Sequence, residues 1–336
     1  MSEKNIVLSG VQPTGNLHLG NYLGAIKNFV SMQMNYECLF CVVDLHAITV
    51  FQDSKELKNN TYEIVASYLA SGINHDESII FNQSQVSYHA ELAWVLSCVC
   101  RIGWLNRMTQ FKEKAGKDKE KASAGLYTYP ILMASDILLY KATHVPVGND
   151  QKQHLELTRD IAQKFNNDFN VDNFFPLPEP FIDRDISRIM SLRDGMSKMS
   201  KSDISDYSRI NLQDDKDLII KKIKKSKTAD TLMPSSLDEV NKFPEINNLL
   251  NIFTGVTDKN KNELINFYKG LNFSGFKSDL ADAIVDKISP IGNEIRRLID
   301  DKKYLDNVLR IGNEKAKLKA SKTMSEIYDI IGFINT

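Results

Sequence analysis

Long apolar runs are missing from this chain. None reaches the roughly 18 residues that a membrane-spanning helix needs, so no span is expected. Charge of neither sign is in excess: 42 Lys and Arg face 43 Asp and Glu, a formal net charge of −1. The molecule as a whole is therefore no polycation, and any contact with a polyanion must come from local patches. Cysteine is scarce, with four in 336 residues. Cys38 and Cys41 sit in an apolar strand-like run, Cys98 and Cys100 in an apolar helix-like run. The spacings are compatible with a metal site, but no glycine turn or histidine flanks either pair. Buried reduced thiols are the expectation, as in a cytoplasmic protein. The start, Met1-Ser2-Glu3-Lys4, has no basic leader followed by an apolar core, so a signal peptide is not expected. No internal repeat of fixed period is present.

What is there is ordinary globular material, 42% hydrophobic and 25% charged, enough for one large domain or two moderate ones. Asn5 to Leu8 reads as a buried strand running into the turn-rich stretch Ser9 to Gly15. Leu19, Leu23, Ile26 and Val30 then share one side of a helix. Glu37 to Val43 is a second strand. Asp53 and Glu56 form a capping box for a helix through Tyr62, Val65 and Leu69, with Gly72 as its stop. Ser78 to Phe81 is a third strand.

From His89 to about Tyr140 the pattern is helical, interrupted by the charged run Lys112 to Lys121. His144 to Val147 returns to strand, and a helix follows from Asp150 to Phe165. Phe174 to Pro180, with three prolines, reads as irregular. Beyond Asp203 the chain is almost all helical, with turns near Pro234, Pro244, Gly255 and Gly275. The expected fold is α/β: a parallel sheet wrapped by helices, a helical insertion around 89–140, and an all-helical C-terminal domain. The boundary falls between 1–203 and 204–336, and the last helix is free to pack back on the first domain.

Two strings carry chemistry. The first is Pro13-Thr14-Gly15-Asn16-Leu17-His18-Leu19-Gly20-Asn21, where a strand ends in a glycine-bearing loop and a helix begins. Unpaired N–H groups and the positive end of a helix dipole suit a triphosphate. Gly15 and Gly20 allow close backbone approach, and His18 and Asn21 offer neutral donors. The string is neither a Walker loop nor a dinucleotide fingerprint. The second is Gly195-Met196-Ser197-Lys198-Met199-Ser200-Lys201-Ser202. Mobile ammonium groups stabilise charge that accumulates on a leaving pyrophosphate, and a glycine with hydroxyls suits a loop that opens and closes. The plain alternatives are a surface histidine on an ordinary strand–turn–helix, and a polar loop with two lysines. Together and in this order the strings resemble the two signatures of class I aminoacyl-tRNA synthetases. His18-Leu19-Gly20-Asn21 ends in Asn where the signature ends in His, and Lys198 to Ser202 matches the second signature letter for letter.

Between them lies Tyr127 to Tyr140, with Pro130 expected in the first turn of a helix that is apolar nearly all round. Asp136 sits in its middle. A buried carboxylate needs a donor. Indole has one N–H and no acceptor, so an apolar pocket with this single acceptor suits tryptophan and rejects phenylalanine. The alternative is that Asp136 pairs with a structural Arg, Lys or backbone amide. Further on, Asp150 either accepts from ribose hydroxyls or forms a capping pair with Gln153.

Along essentially its whole length the chain resembles the tryptophan branch of those synthetases, in Val43 to Val50, Met108 to Lys114, Leu132 to Tyr140, Val145 to Arg159 and Ile189 to Leu192. The resemblance implies a Rossmann-like catalytic domain that makes tryptophanyl-adenylate from L-tryptophan and ATP, with Mg²⁺ accompanying ATP, and then charges tRNA(Trp). It implies that Gln12, Pro13, Thr14, Gly20 and Asn21 contact ATP, with Gln12 and His18 among the catalytic groups. Gly148, Asn149 and Asp150 would line the adenosine side with Gln151 nearby on the tryptophan side, and Ile189 would pack by adenine. Lys198, Met199, Ser200, Lys201 and Ser202 would close on the nucleotide. His46, Tyr129, Met133, Val145 and Val147 would surround the amino acid, with Asp136 on the indole N–H. Lys114 would reach the triphosphate, with Lys112 and Lys117 as competitors. A homodimer is implied, with the helical end meeting tRNA.

Residues 296–322 hold nine Lys and Arg against four Asp and Glu. Lys221, Lys222, Lys224, Lys225 and Lys227 form a second basic cluster. These are phosphate-gripping patches or solvated helix faces. Two rival readings stand beside the main one: a tyrosine-specific synthetase of the same architecture, and a catalytically silent RNA-binding paralogue.

Overall fold

A computed structural model describes residues 5–111, 122–148, 151–181 and 188–334. The sheet has five strands, β1 (Ile6–Val11), β2 (Glu37–Val42), β3 (Ile79–Asn82), β4 (His144–Pro146) and β5 (Glu179–Phe181). All pair in parallel, in the order β3-β2-β1-β4-β5. Successive side chains enter different cores. Val7, Phe40, Val42 and Ile80 join one hydrophobic cluster, while Leu8, Leu39, Cys41 and Phe81 join the other. A parallel sheet covered on both faces demands such near-continuous apolar strands. The sheet order turns around between β1 and β4, and open α/β sheets bind ligands outside the strand ends at such a point.

β5 corrects an expectation. Phe174 to Pro180 reads as irregular from its prolines, yet Val145 pairs with Pro180 in register. An edge strand tolerates a residue that cannot donate on its outer side. Pro130 is likewise interior, because the helix already starts at Ala124 with Ser123 capping the N–H of Leu126. Gly255 and Gly275 are helical rather than turns: they lie within Pro244–Thr257 and Phe273–Asp300. At Gly255 a Cβ would sit 2.9 Å from Leu23 Cδ1, so the helix packs closely on that side chain. The turn near Gly275 falls earlier, at Gly270, with φ +72°. Asp53 caps its helix by accepting from the N–H groups of Lys55 and Glu56, which is one half of the expected box.

The cluster holding Val7 and Phe40 runs on into Ile246, Leu249, Ile284 and Ile295 of the C-terminal helices. The last helix, Lys302–Ile331, lies against β3. A Cβ on Gly312 would lie 1.7 Å from the carbonyl oxygen of Ile80, so only glycine permits this approach. Asn313 Oδ1 accepts from the Asn82 N–H at 3.1 Å, and Lys319 pairs with Glu37 at 2.6 Å. No helix among the described residues is long and apolar enough to cross a membrane.

Candidate active site

At the carboxyl ends of β1 and β4 opens a cleft of about 750 Å³. Its floor is Leu8, Gly10 and Val11 from β1 with Val145 and Pro146 from β4. From the first signature, Gln12, Thr14, His18 and Asn21 line it; from the second, Lys198, Met199, Ser200 and Lys201 do. The residues expected around an amino acid, His46, Tyr129, Met133, Asp136 and Gln151, line the same space. Pro13, Gly20, Val147, Gly148, Ile189 and Ser202 lie outside the lining. Lys112, Lys114, Lys117, Asn149 and Asp150 lie outside the described residues.

The first loop turns tightly, with the Thr14 N–H on the Gln12 carbonyl at 2.9 Å. Gly15 has φ +70°, and a Cβ there would meet Asn60 Oδ1 at 2.5 Å. His18 is the N-cap residue of Leu19–Asn21, and its own N–H is taken by Asn21 Oδ1 at 3.1 Å. A π-helical turn, Tyr22–Ile26, follows. The His18 ring is buried, and its Nδ1 has no hydrogen-bond partner among the described residues. Burial, then Lys198, Arg209 and Lys201, pull its pKa from 6.5 down to about 4, so it is uncharged at neutral pH. Gly20 is shaped by this ring: a Cβ would come within 3.0 Å of His18 Nδ1.

The second signature is held at its root and reaches the first at its tip. Ser191 N–H donates to the Ser197 carbonyl and Met199 N–H to the Ile189 carbonyl, making a short antiparallel bridge at Met190 and Lys198. Buried Asn248 clamps that bridge, accepting from Met190 N–H at 2.8 Å and donating to its carbonyl at 2.9 Å. Lys201 Nζ donates to the Thr14 carbonyl at 2.9 Å. Burial lowers the Lys201 pKa, opposed by Glu63. Residues 210–212 hold the first loop through Leu19 N–H to Ile210 carbonyl and Leu212 N–H to Leu17 carbonyl.

Asp136 is 3% exposed. Oδ1 accepts from Gln83 Nε2 at 2.6 Å and lies 2.7 Å from His89 Nδ1; Oδ2 lies 2.8 Å from His46 Nε2. Burial raises its pKa, but the charges and hydrogen bonds of His46 and His89 more than offset this and bring it to about 2. The carboxylate is therefore ionised. Its partners among the described residues are two imidazoles and an amide, not Arg or Lys. On the same helix, Tyr129 Oη lies 2.7 Å from His154 Nε2 and donates to Gln110 Oε1 at 2.8 Å.

These two loops on one switch point suit a triphosphate, and a family model described as tRNA synthetases class I (W and Y) matches residues 1–287. This chain belongs to that family. The class I resemblance of the two signatures is thereby borne out. The tryptophan–tRNA ligase of Brucella melitensis is 55% identical over 98% of this chain and 98% of its own length. The tryptophanyl-tRNA synthetase of Mycoplasma pneumoniae superposes with a TM-score of 0.82 at 33% identity, covering 98% of each chain. That of Campylobacter jejuni, solved with ADP and tryptophan, gives 0.82 at 32% identity, covering 98% of this chain and 100% of that one.

Several residues of the cleft and of the Asp136 network escape sequence reasoning. Gln83, His89 and Tyr140 hold Asp136 from behind, and Thr109, Gln110 and His154 complete the cleft wall. The one available signal was histidine in an apolar helix, at His89. Gln153 does not cap its helix with its side chain: Oε1 accepts from the Thr109 N–H at 3.1 Å and Nε2 donates to the Arg107 carbonyl. Lys222 is no surface cation either. It is fully buried, 2.7 Å from Asp206 and 2.6 Å from Asp214. Lys227 pairs with Glu245 at 2.7 Å, and Lys225 sits over the Tyr207 ring. None of the four cysteines forms a disulfide; Cys38 and Cys41 are buried, but Cys98 is exposed on its helix and Cys100, at that helix's C-terminal end, is half-buried.

Proposed function

We propose that this chain is a tryptophan–tRNA ligase of the cytoplasm that works in two steps. In the first, the tryptophan carboxylate attacks the α-phosphorus of ATP, the bond to the β-phosphate oxygen breaks, and tryptophanyl-adenylate and pyrophosphate form. The nucleophile is already ionised, so no general base is required. Catalysis is alignment and charge stabilisation: backbone amides of the Gln12–Gly15 turn and uncharged His18 meet phosphate oxygens, and Lys198 and Lys201 take up the charge on pyrophosphate. Magnesium enters with the triphosphate as part of the substrate. In the second step a hydroxyl of the terminal tRNA ribose, the 2′ group by class, displaces AMP from the acyl carbon. We assign residues 204–336 to tRNA binding and a symmetric dimer as the working unit.

The observation that carries the choice of amino acid is the ionised, buried Asp136 carboxylate on the wall of a cleft otherwise lined there by Tyr129, Met133 and Val145. Tryptophan brings the single N–H this acceptor suits; phenylalanine leaves it unpaired. The high identity to tryptophan–tRNA ligases supports the same choice. The test is ATP–pyrophosphate exchange with each of the twenty amino acids in turn. Exchange driven by tryptophan alone is expected. Exchange driven by tyrosine would move the chain to the other branch, and tRNA binding without any exchange would make it a silent paralogue.

A further inference from the structure

The Asp136 carboxylate has two unlike sides. Oδ1 accepts from both Gln83 Nε2 and His89 Nδ1, whereas Oδ2 has His46 alone among the described residues. Gln83 and His89 are completely buried and stand outside the cleft lining, which Asp136 and His46 share. Each rear donor is fixed by a further bond. Gln83 Oε1 accepts from the Leu45 N–H at 3.1 Å, so a flipped amide would set its NH2 against that donor and its oxygen against the carboxylate. His89 Nε2 lies 2.8 Å from the Tyr140 hydroxyl, and Phe81 stacks on the His89 ring at 5.9 Å. The carboxylate can only accept, so Nδ1 carries a proton, and Nε2 pairs with the phenol hydroxyl. Ser135 Oγ, next to Asp136 in sequence, donates to the His89 carbonyl at 2.7 Å and ties the two helices together.

We propose that Tyr140 and His89 are positioning residues for amino-acid selection, resting on the tryptophan reading above. The Tyr140–His89 pair, with Gln83, occupies Oδ1 and leaves Oδ2 as the one oxygen turned to an indole N–H. Tyr140 acts through His89. Removing its hydroxyl takes away the bond at Nε2 that fixes the ring, so the imidazole can swing and the carboxylate turn with it. An acceptor held in one orientation rejects a side chain without the N–H more sharply than one that can turn away.

The test compares tryptophan with its benzothiophene analogue, in which sulfur replaces the ring N–H, by pyrophosphate exchange with the full-length protein. In Tyr140→Phe, kcat/KM for tryptophan should fall about tenfold and that for the analogue less than twofold, with the KM for ATP unchanged. The His89 Nδ1 proton should give a sharp, exchange-protected NMR signal in the parent and a broadened, faster-exchanging one in the variant. Equal losses for both substrates, with that signal unchanged, would make Tyr140 merely structural and overturn the proposal. Asp136→Ala separates the two levels. If it keeps full preference for tryptophan, the tryptophan reading of Asp136 fails. If it loses that preference while Tyr140→Phe does not, only the positioning role fails.

Discussion

The ammonium nitrogen of Lys201 lies 2.9 Å from the carbonyl oxygen of Thr14, joining the two signature loops across 187 residues of chain. Both residues line the cleft, and the contact uses one of the three ammonium donors. The proposed chemistry brings pyrophosphate to the others as charge develops. Lys201→Ala should lower kcat by about a hundredfold, the usual scale for losing one aimed donor, and change the KM for ATP less than threefold. A change confined to KM would mean that the ammonium only holds the ground state.

Gly20 is paired with His18 in the same way that a wall is paired with what leans on it. An added methyl would lie 3.0 Å from His18 Nδ1, 3.1 Å from Cε1 and 3.5 Å from Met199 Cβ. Gly20→Ala should displace the imidazole and lower kcat/KM for ATP about tenfold, while thermal melting changes little. Unaltered exchange kinetics would show that the ring position is unimportant.

Acid should weaken the folded state through His18. Its imidazole protonates at about 4 in the folded chain and near 6.5 when free. Between these values the unfolded chain holds the extra proton. Stability is therefore complete above 6.5 and declines as the pH falls toward 4. His18→Gln should flatten this decline, read as denaturant midpoints at pH 6.5 and 4.5. Equal declines in parent and variant would refute a depressed His18.

Gly312→Ala tests how the last helix is seated. The new Cβ would overlap the Ile80 carbonyl oxygen, so Lys302–Ile331 must lift from β3. A loss of about 2 kcal/mol or more in urea unfolding is expected, the scale of severe core overpacking. Gly275→Ala, where nothing lies within 4 Å, is the control and should cost nothing measurable.

Sequence reading reached features with local causes. The two loops are legible because phosphate chemistry asks for glycine, amide and ammonium at fixed short spacing. Asp136 stands out because an acidic residue interrupts an apolar helix. What stayed hidden depends on contacts far apart in the chain. Gln83 and His89 lie 53 and 47 residues from the carboxylate they hold, and neither spacing has a pattern. Lys222 sits in a run of lysines and looks solvated, but its helix turns it inward to meet Asp206 and Asp214. β5 was masked by its own prolines, whose cost vanishes only when the strand is known to be at an edge. Pro130 misled for the opposite reason: a helix start was read from it although Ser123, seven residues earlier, caps the helix.

The sharpest measurement replaces Asp136 with alanine and compares pyrophosphate exchange driven by tryptophan and by phenylalanine, with the KM for ATP recorded beside them. A cleft in which nucleotide loops and one ionised acceptor meet predicts that preference for tryptophan collapses while ATP recognition survives. Selectivity equal to that of the parent would contradict it.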